Sequence, residues 1–398
     1  MKTAGEILKS YFFPICFCAY MCVYIARVNL SIAAPELQRA MILSTEQLGL
    51  MGGAFSVTYA VGRMLSGAVG DRTVPWKLIC TGLLLVSTAN LCVGLFPPFV
   101  CLFLLWSINA LAQSMLWSPM LRIISCKYPY ELSKKRASTL GLAVAGGNIT
   151  GLLVSGFVIS HFSVSSGFFV PAAISAVFCV LIFAATNDVT PPKTYERQRL
   201  SVSTLFAPLR KRDVRRMMVP AMLHGIIKDN VSLWMVVYIA ERFSLHLDST
   251  AWYVLLIPAA GLLGRLIYPL IYRCTGQNEY FTSGIGAAIG IAAALLLTAG
   301  PSSPLACVLC LSALYASVSI INTTILAIFP MQFSAEDAVS SVSGFMDFST
   351  YLGAGIGSFV FAKIIGFAGY TAMFAVWGLA SLVCALYFFC YRKFGLIE

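Results

Sequence analysis

Arg27-Val28-Asn29-Leu30-Ser31 lies deep in a long apolar stretch near the start of the chain, and Lys228-Asp229-Asn230-Val231-Ser232 lies deep in another, 201 residues further on. Gly62-Arg63 is echoed by Gly264-Arg265 at an offset of 202. Two separate segments that agree on one spacing, and agree in polar residues, indicate a duplicated unit. The apolar stretches around them recur from Tyr11 to Tyr391. At 1.5 Å per residue, about 18 such residues cross a hydrocarbon layer about 30 Å thick. Lipid offers no partner to a backbone amide, so these spans are helices.

Composition agrees. Of 398 residues, 59% are hydrophobic and only 11% are charged, where a water-soluble domain carries about a quarter. The first half has spans near 11–33, 46–69, 77–96, 99–126, 137–160 and 167–187; the second has them near 217–240, 250–272, 280–299, 303–329, 338–362 and 370–391. The expected fold is all-α, with twelve transmembrane helices in two six-helix bundles, residues 1–187 and 217–398. The intervening 188–216, with Pro191, Pro192 and the basic run Arg210, Lys211, Arg212, Arg215 and Arg216, is the expected cytoplasmic linker.

Lys and Arg set the orientation, because cytoplasmic loops retain positive charge. With both termini inside, 19 of the 27 basic residues are cytoplasmic, Arg39, Arg242 and Lys363 are outside, and Arg27, Arg63, Arg122, Lys228 and Arg265 lie within spans or at their ends. The net charge of +11 therefore describes topology and contact with anionic lipid, and nucleic acid is not an expected partner. Lys2 and Lys9 precede an apolar stretch that Arg27 interrupts, so it reads as a first span and not as a removed signal. The 13 cysteines lack metal or disulfide spacing and read as packing residues, and no cofactor motif is visible. Asn29, Asn148, Asn230 and Asn322 head N-x-S/T triplets but fall inside spans, out of reach of glycosylation.

A cation deep in a membrane costs about 2.5 to 3.5 kcal/mol even on insertion scales, and persists where it faces a cavity, a partner or a ligand. Arg27 and Lys228, related by the repeat, suggest an anion site; Asp229 and Asp347 are the carboxylates that could balance charge there or carry a coupled proton. Polar stripes at helical spacing add walls: Tyr20, Tyr24 and Arg27 in the first span, Asn109, Gln113 and Trp117 in the fourth, and Gly344, Asp347 and Tyr351 in the eleventh. Gly67-Ala-Val-Gly70-Asp71-Arg72 closes the second span as a G-x-x-x-D-R pattern, whose small residues let helices approach and whose charged pair suits a gate. His161, His224 and His246 are isolated near span ends with no nucleophile beside them, which argues against an enzyme.

These residues resemble the major facilitator superfamily, and within it the organophosphate:phosphate antiporters. The resemblance rests on Tyr24 to Ser31, Tyr59-Ala-Val-Gly62-Arg63 through Asp71-Arg72, Asn109 through Gln113-Ser114 and Trp117-Ser-Pro119 to Arg122, Gly225 to Trp234, and Gly344 with Tyr351-Leu-Gly353-Ala354. It implies a major facilitator fold and alternating access around a substrate held by Arg27 and a seventh-span arginine. Here that second position is Lys228, a point charge where arginine offers a planar fork. A fifth-span histidine of some members has no counterpart near Gly147-Asn148. The expected function is secondary transport of small organic anions, organophosphates in exchange for phosphate, with Tyr20, Tyr24, Tyr59, Gln113, Trp117 and Tyr351 lining the site. The alternatives are proton-coupled transport of another organic anion and a transporter-like ligand sensor.

Overall fold

The computed structural model describes residues 11–186, 206–243 and 247–391. Lys2, Lys9, His246 and the linker residues 188–205, with Pro191 and Pro192, lie outside the described residues. Helices occupy all twelve expected spans, and no strand occurs among the described residues. In chain order they are α1 (Phe12–Val23), α2 (Ile25–Arg39), α3 (Thr45–Gly70), α4 (Pro75–Val93), α5 (Phe99–Ser114), α6 (Trp117–Lys127), α7 (Tyr130–His161), α8 (Ser166–Thr186), α9 (Arg212–Phe243), α10 (Leu247–Cys274), α11 (Glu279–Thr298), α12 (Pro304–Asn322) and α13 (Val339–Tyr391). The last two spans share α13, which breaks at Gly369, where φ is 74°. Only glycine takes that left-handed conformation without strain.

Local chemistry explains the interruptions. Pro119 has no N–H to donate to the carbonyl four residues earlier and crowds it, so the fourth span divides into α5 and α6 at Met115–Leu116. The tenth span leaves α-geometry after Asn322 for a π segment, Thr323–Ile328, and a 3-10 turn, Phe329–Phe333. The helix starts show the expected caps: Ser44 and Gln47 form a reciprocal capping box on α3, and the Asn278 and Ser303 side chains accept from the third residues of α11 and α12. Part of the basic run expected in the linker is helical, since α9 begins at Arg212 and Arg215 donates back to the carbonyls of Leu209 and Arg210.

The chain forms two compact units, residues Met1–Pro208 with Pro330–Phe345, and Leu209–Phe329 with Met346–Glu398. The short segment Pro330–Phe345 thus groups with the first unit, although it was expected within the second bundle. Leu30, Met51, Trp106 and Phe168 belong to one core cluster of the first unit, and Val231, Leu311, Phe374 and Trp377 to one of the second. Among the described residues, eight helical segments are long and apolar enough to cross a bilayer on composition alone. Leu84, Leu91, Val100 and Leu104 stand outward from α4 and α5, as lipid-facing side chains do.

Candidate functional site

Arg27 is the third residue of α2, just past the break at Tyr24 that separates α1 from α2. The carbonyl of Ala26 beside it accepts two side-chain amides from α5, Asn109 Nδ2 at 3.0 Å and Gln113 Nε2 at 3.0 Å. Gln113 turns its oxygen the other way, and Arg27 Nε donates to Gln113 Oε1 at 3.1 Å. The network runs on: Asn90 Nδ2 donates to Asn109 Oδ1 at 3.2 Å, and Asn29 Nδ2 to Asn90 Oδ1 at 2.9 Å and to the Gly167 carbonyl at 3.2 Å. Asn29, Asn90, Asn109 and Gln113 are all buried. A buried amide chain with each member bonded fixes the geometry of what it holds, and here it holds the Arg27 side chain.

Aromatic rings surround that guanidinium. Its carbon lies 4.2 Å from the Tyr59 ring centroid, 4.9 Å from Tyr24 and 5.4 Å from Phe55, all within cation–π range. The α7 backbone passes close by, because a Cβ on Gly147 would meet the Met21 carbonyl at 2.6 Å and one on Gly151 the Tyr24 carbonyl at 3.0 Å. Backbone therefore fills the place where a fifth-span side chain would project. Arg27 also lines a pocket of about 210 Å³ with Leu30, Ser31, Ala34, Leu48, Gly52, Phe55 and Trp106.

Tyr20 and Trp117 gather around a different cation. Their rings lie 5.1 Å apart, Arg63 Nη2 donates to Tyr20 Oη at 3.3 Å, and the Arg63 guanidinium lies 6.0 Å from the Trp117 ring and 5.1 Å from Tyr59. Tyr59 touches both guanidiniums. Sequence reasoning left Arg63 out of the site, though its place four residues after Tyr59 on one helix was a signal.

In the second unit, Lys228 Nζ lies 3.3 Å from Asp229 Oδ1 and 4.9 Å from the Tyr351 ring centroid. Asp347 is buried. One turn earlier, His224 is buried in mid-helix with Nε2 at 3.2 Å from the Val318 carbonyl, not at a span end as expected. Asn230, the repeat partner of Asn29, donates to the Ala354 carbonyl at 3.1 Å.

The G-x-x-x-D-R pattern works through partners other than the expected pair. Asp71 accepts from Ser340 N at 2.8 Å and Ser341 N at 2.6 Å, the first turn of α13, where unsatisfied amides favour an anion. Arg72 caps its own helix through Ala68 O at 2.7 Å. Arg122 supplies the cation, 2.5 Å from Asp337 Oδ1 and 3.9 Å from Asp71 Oδ1. A Cβ on Gly67 would lie 2.6 Å from the Ser340 carbonyl and 2.8 Å from Gly344 Cα, so α3 and α13 meet backbone to backbone. Burial raises the Asp71 carboxyl to about 6, against the lowering effect of the Ser341 and Ser340 hydrogen bonds and of Arg122.

Among known proteins, a probable hexose phosphate transport protein of Chlamydia muridarum is 25% identical over 175 residues, 43% of this chain and 38% of that protein. The membrane sensor protein UhpC of Salmonella typhimurium is 22% identical over 395 residues, 92% of this chain and 88% of its own. The solved structure of the human organic anion transporter MFSD10 superposes with a TM-score of 0.77 at 16% identity, over 97% of this chain and all of that one, a likeness of fold alone. Residues 16–358 match the Major Facilitator Superfamily, and the chain belongs to that superfamily of multi-pass membrane proteins.

Proposed function

We propose that the protein is a secondary carrier for small organic anions, organophosphates taken in exchange for phosphate, working by alternating access in the cell membrane with both termini cytoplasmic. The observation that carries this reading is Arg27, a cation deep in a span, bonded to Gln113, ringed by Tyr24, Phe55 and Tyr59, and lining a pocket. Lys228, with Tyr351, is its repeat-related counterpart in the second unit, and Asp229 and Asp347 trim the charge there. Similarity to a hexose phosphate transport protein supports a phosphorylated cargo. An anion neutralises a cation that is costly in a low-dielectric interior, so a loaded site changes state more readily than an empty one and exchange is favoured over net flux. Gly67, Asp71 and Arg72, with Arg122, form the gate that holds one of those states.

The test is exchange in liposomes filled with phosphate, with labelled phosphate outside and phosphate esters as competitors. Exchange that an ester inhibits, and that Arg27→Ala abolishes without loss of folded protein, supports the carrier. Normal uptake by Arg27→Ala refutes the anion role. Flux driven by an imposed pH gradient and lost in Asp347→Asn replaces phosphate by the proton as coupling species.

The likeness to a membrane sensor over 92% of the chain favours a second reading, a receptor that binds its anion and does not release it across the membrane. Saturable binding in detergent together with no exchange in liposomes selects the sensor.

A further inference from the structure

The walls of the Arg27 pocket differ in kind from its floor. Among the described lining residues, Arg27, Ser31 and the indole N–H of Trp106 are the polar groups; Leu30, Ala34, Leu48 and Phe55 supply the rest, with Gly52 leaving backbone. The rings form one continuous surface: Trp106 and Phe55 lie 5.6 Å apart, and Phe55 stacks on Tyr59 at 5.9 Å with planes 11° apart. Trp106 is buried among Leu30, Met51, Val93 and Phe168, so its ring is held in place before any ligand arrives.

A polyol placed there would exchange water for carbon around most of its hydroxyls, which outnumber the Ser31 hydroxyl and the Trp106 indole N–H once Arg27 is taken by the charge. Buried hydroxyls without partners oppose binding, and a flat apolar group meets no such penalty and gains ring contact. From this we infer that the pocket selects an anion whose organic part is an apolar ring, bound with the charge toward Arg27 and the ring against Phe55 and Trp106. Trp106 is then a specificity-determining residue. The inference rests on the anion role proposed for Arg27, and it separates this chain from carriers of sugar phosphates.

The experiment is calorimetric titration of the purified full chain in lipid nanodiscs with two matched series. One holds inorganic phosphate, glycerol 3-phosphate, glucose 6-phosphate and phenyl phosphate; the other holds glycerate and benzoate. The expected result is that phenyl phosphate binds about tenfold tighter than either polyol ester. That ratio falls below about threefold in Trp106→Ala and survives in Trp106→Phe, which keeps a ring and controls for folding. Equal or tighter binding of a polyol ester overturns the inference, as does a preference that Trp106→Ala leaves intact. If phosphates fail to bind but carboxylates bind with benzoate preferred, the phosphorylated cargo is wrong and the ring selectivity stands. Carboxylates without preference, or no binding in either series, overturn the ring selectivity as well.

Discussion

Gln113 decides how Arg27 can act, because one side chain bonds both the guanidinium and the carbonyl beside it. Its amide donates to Ala26 O and to Asn109 Oδ1, and its oxygen accepts Arg27 Nε. Gln113→Ala removes an acceptor from a part-buried charged donor, which costs about 1 to 3 kcal/mol. The expected outcome is anion binding weakened about tenfold or more with the fold intact, read by titration against a thermal melt; unchanged affinity would show that Arg27 is oriented by the rings alone. Arg27→Lys keeps the charge and loses the planar, bonded fork. It should bind the anion more weakly than the wild type while keeping some exchange, whereas Arg27→Ala should lose all of it. Equal activity of the lysine variant would place the whole effect in charge. Arg27, Tyr24, Tyr59 and Gln113 were legible in the sequence because a polar side chain stands out in an apolar span. Phe55 and Trp106 were not, since an aromatic residue in such a span reads equally well as lipid-facing or core.

At the scale of the helix, the contact between the end of α3 and the start of α13 within the first unit depends on two glycines and one carboxylate. Gly67→Val places carbon against the Ser340 carbonyl and Gly344 Cα, where backbone has no means of giving way; overpacking of this kind costs about 1 to 3 kcal/mol. The expected result is a lower melting temperature and faster protease cleavage near Pro330–Phe345, and wild-type values for both would mean that the two segments part in solution. Asp71 adds a pH dependence. Its folded pKa, about 6, lies above the ordinary carboxylate value of 3.8, so the folded state binds the proton more tightly. The stabilisation that goes with the protonated form is complete below the lower value and is lost as pH rises through the upper one. A gap of that size between the two values is worth no more than about 3 kcal/mol. Melting temperature should therefore rise from pH 7.5 to 5 by more in the wild type than in Asp71→Asn, and parallel profiles would remove Asp71 as the source. The G-x-x-x-D-R spacing announced a contact here, but not its partners: Ser340, Asp337 and Arg122 are far from Asp71 in sequence. The break at Tyr24 was equally hidden, with no proline or glycine to mark it; the one at Met115 has Pro119 as its cause.

The two repeat-related spans each carry a deep cation, and the two halves hold these cations differently. At the two offsets of 201 and 202, Asn109 is matched by Cys310 or Leu311 and Gln113 by Leu314 or Tyr315, so no amide pair stands where the first half holds its arginine. The repeat was legible because Asn29 and Asn230 kept the same chemistry, each bonding a carbonyl of another helix. The loss of symmetry was not, because it lies in replacements that any span tolerates. Lys228 has instead a carboxylate at its side, 3.3 Å away on Asp229, and the ring of Tyr351. A neighbouring carboxylate lowers the field an incoming anion meets, and in a partly desolvated site opposite charges a few ångströms apart interact by several kcal/mol before compensation. If Lys228 takes part in anion binding, Asp229 competes with the ligand for it. Asp229→Asn should then tighten phosphate binding, by about tenfold for a gain of about 1.4 kcal/mol, and make it less sensitive to added salt, and Lys228→Ala should abolish the gain when the two changes are combined. Weaker binding in Asp229→Asn would instead make Asp229 the group that holds the ammonium in position, and an additive double variant would mean that Lys228 and Asp229 act on the anion independently or not at all.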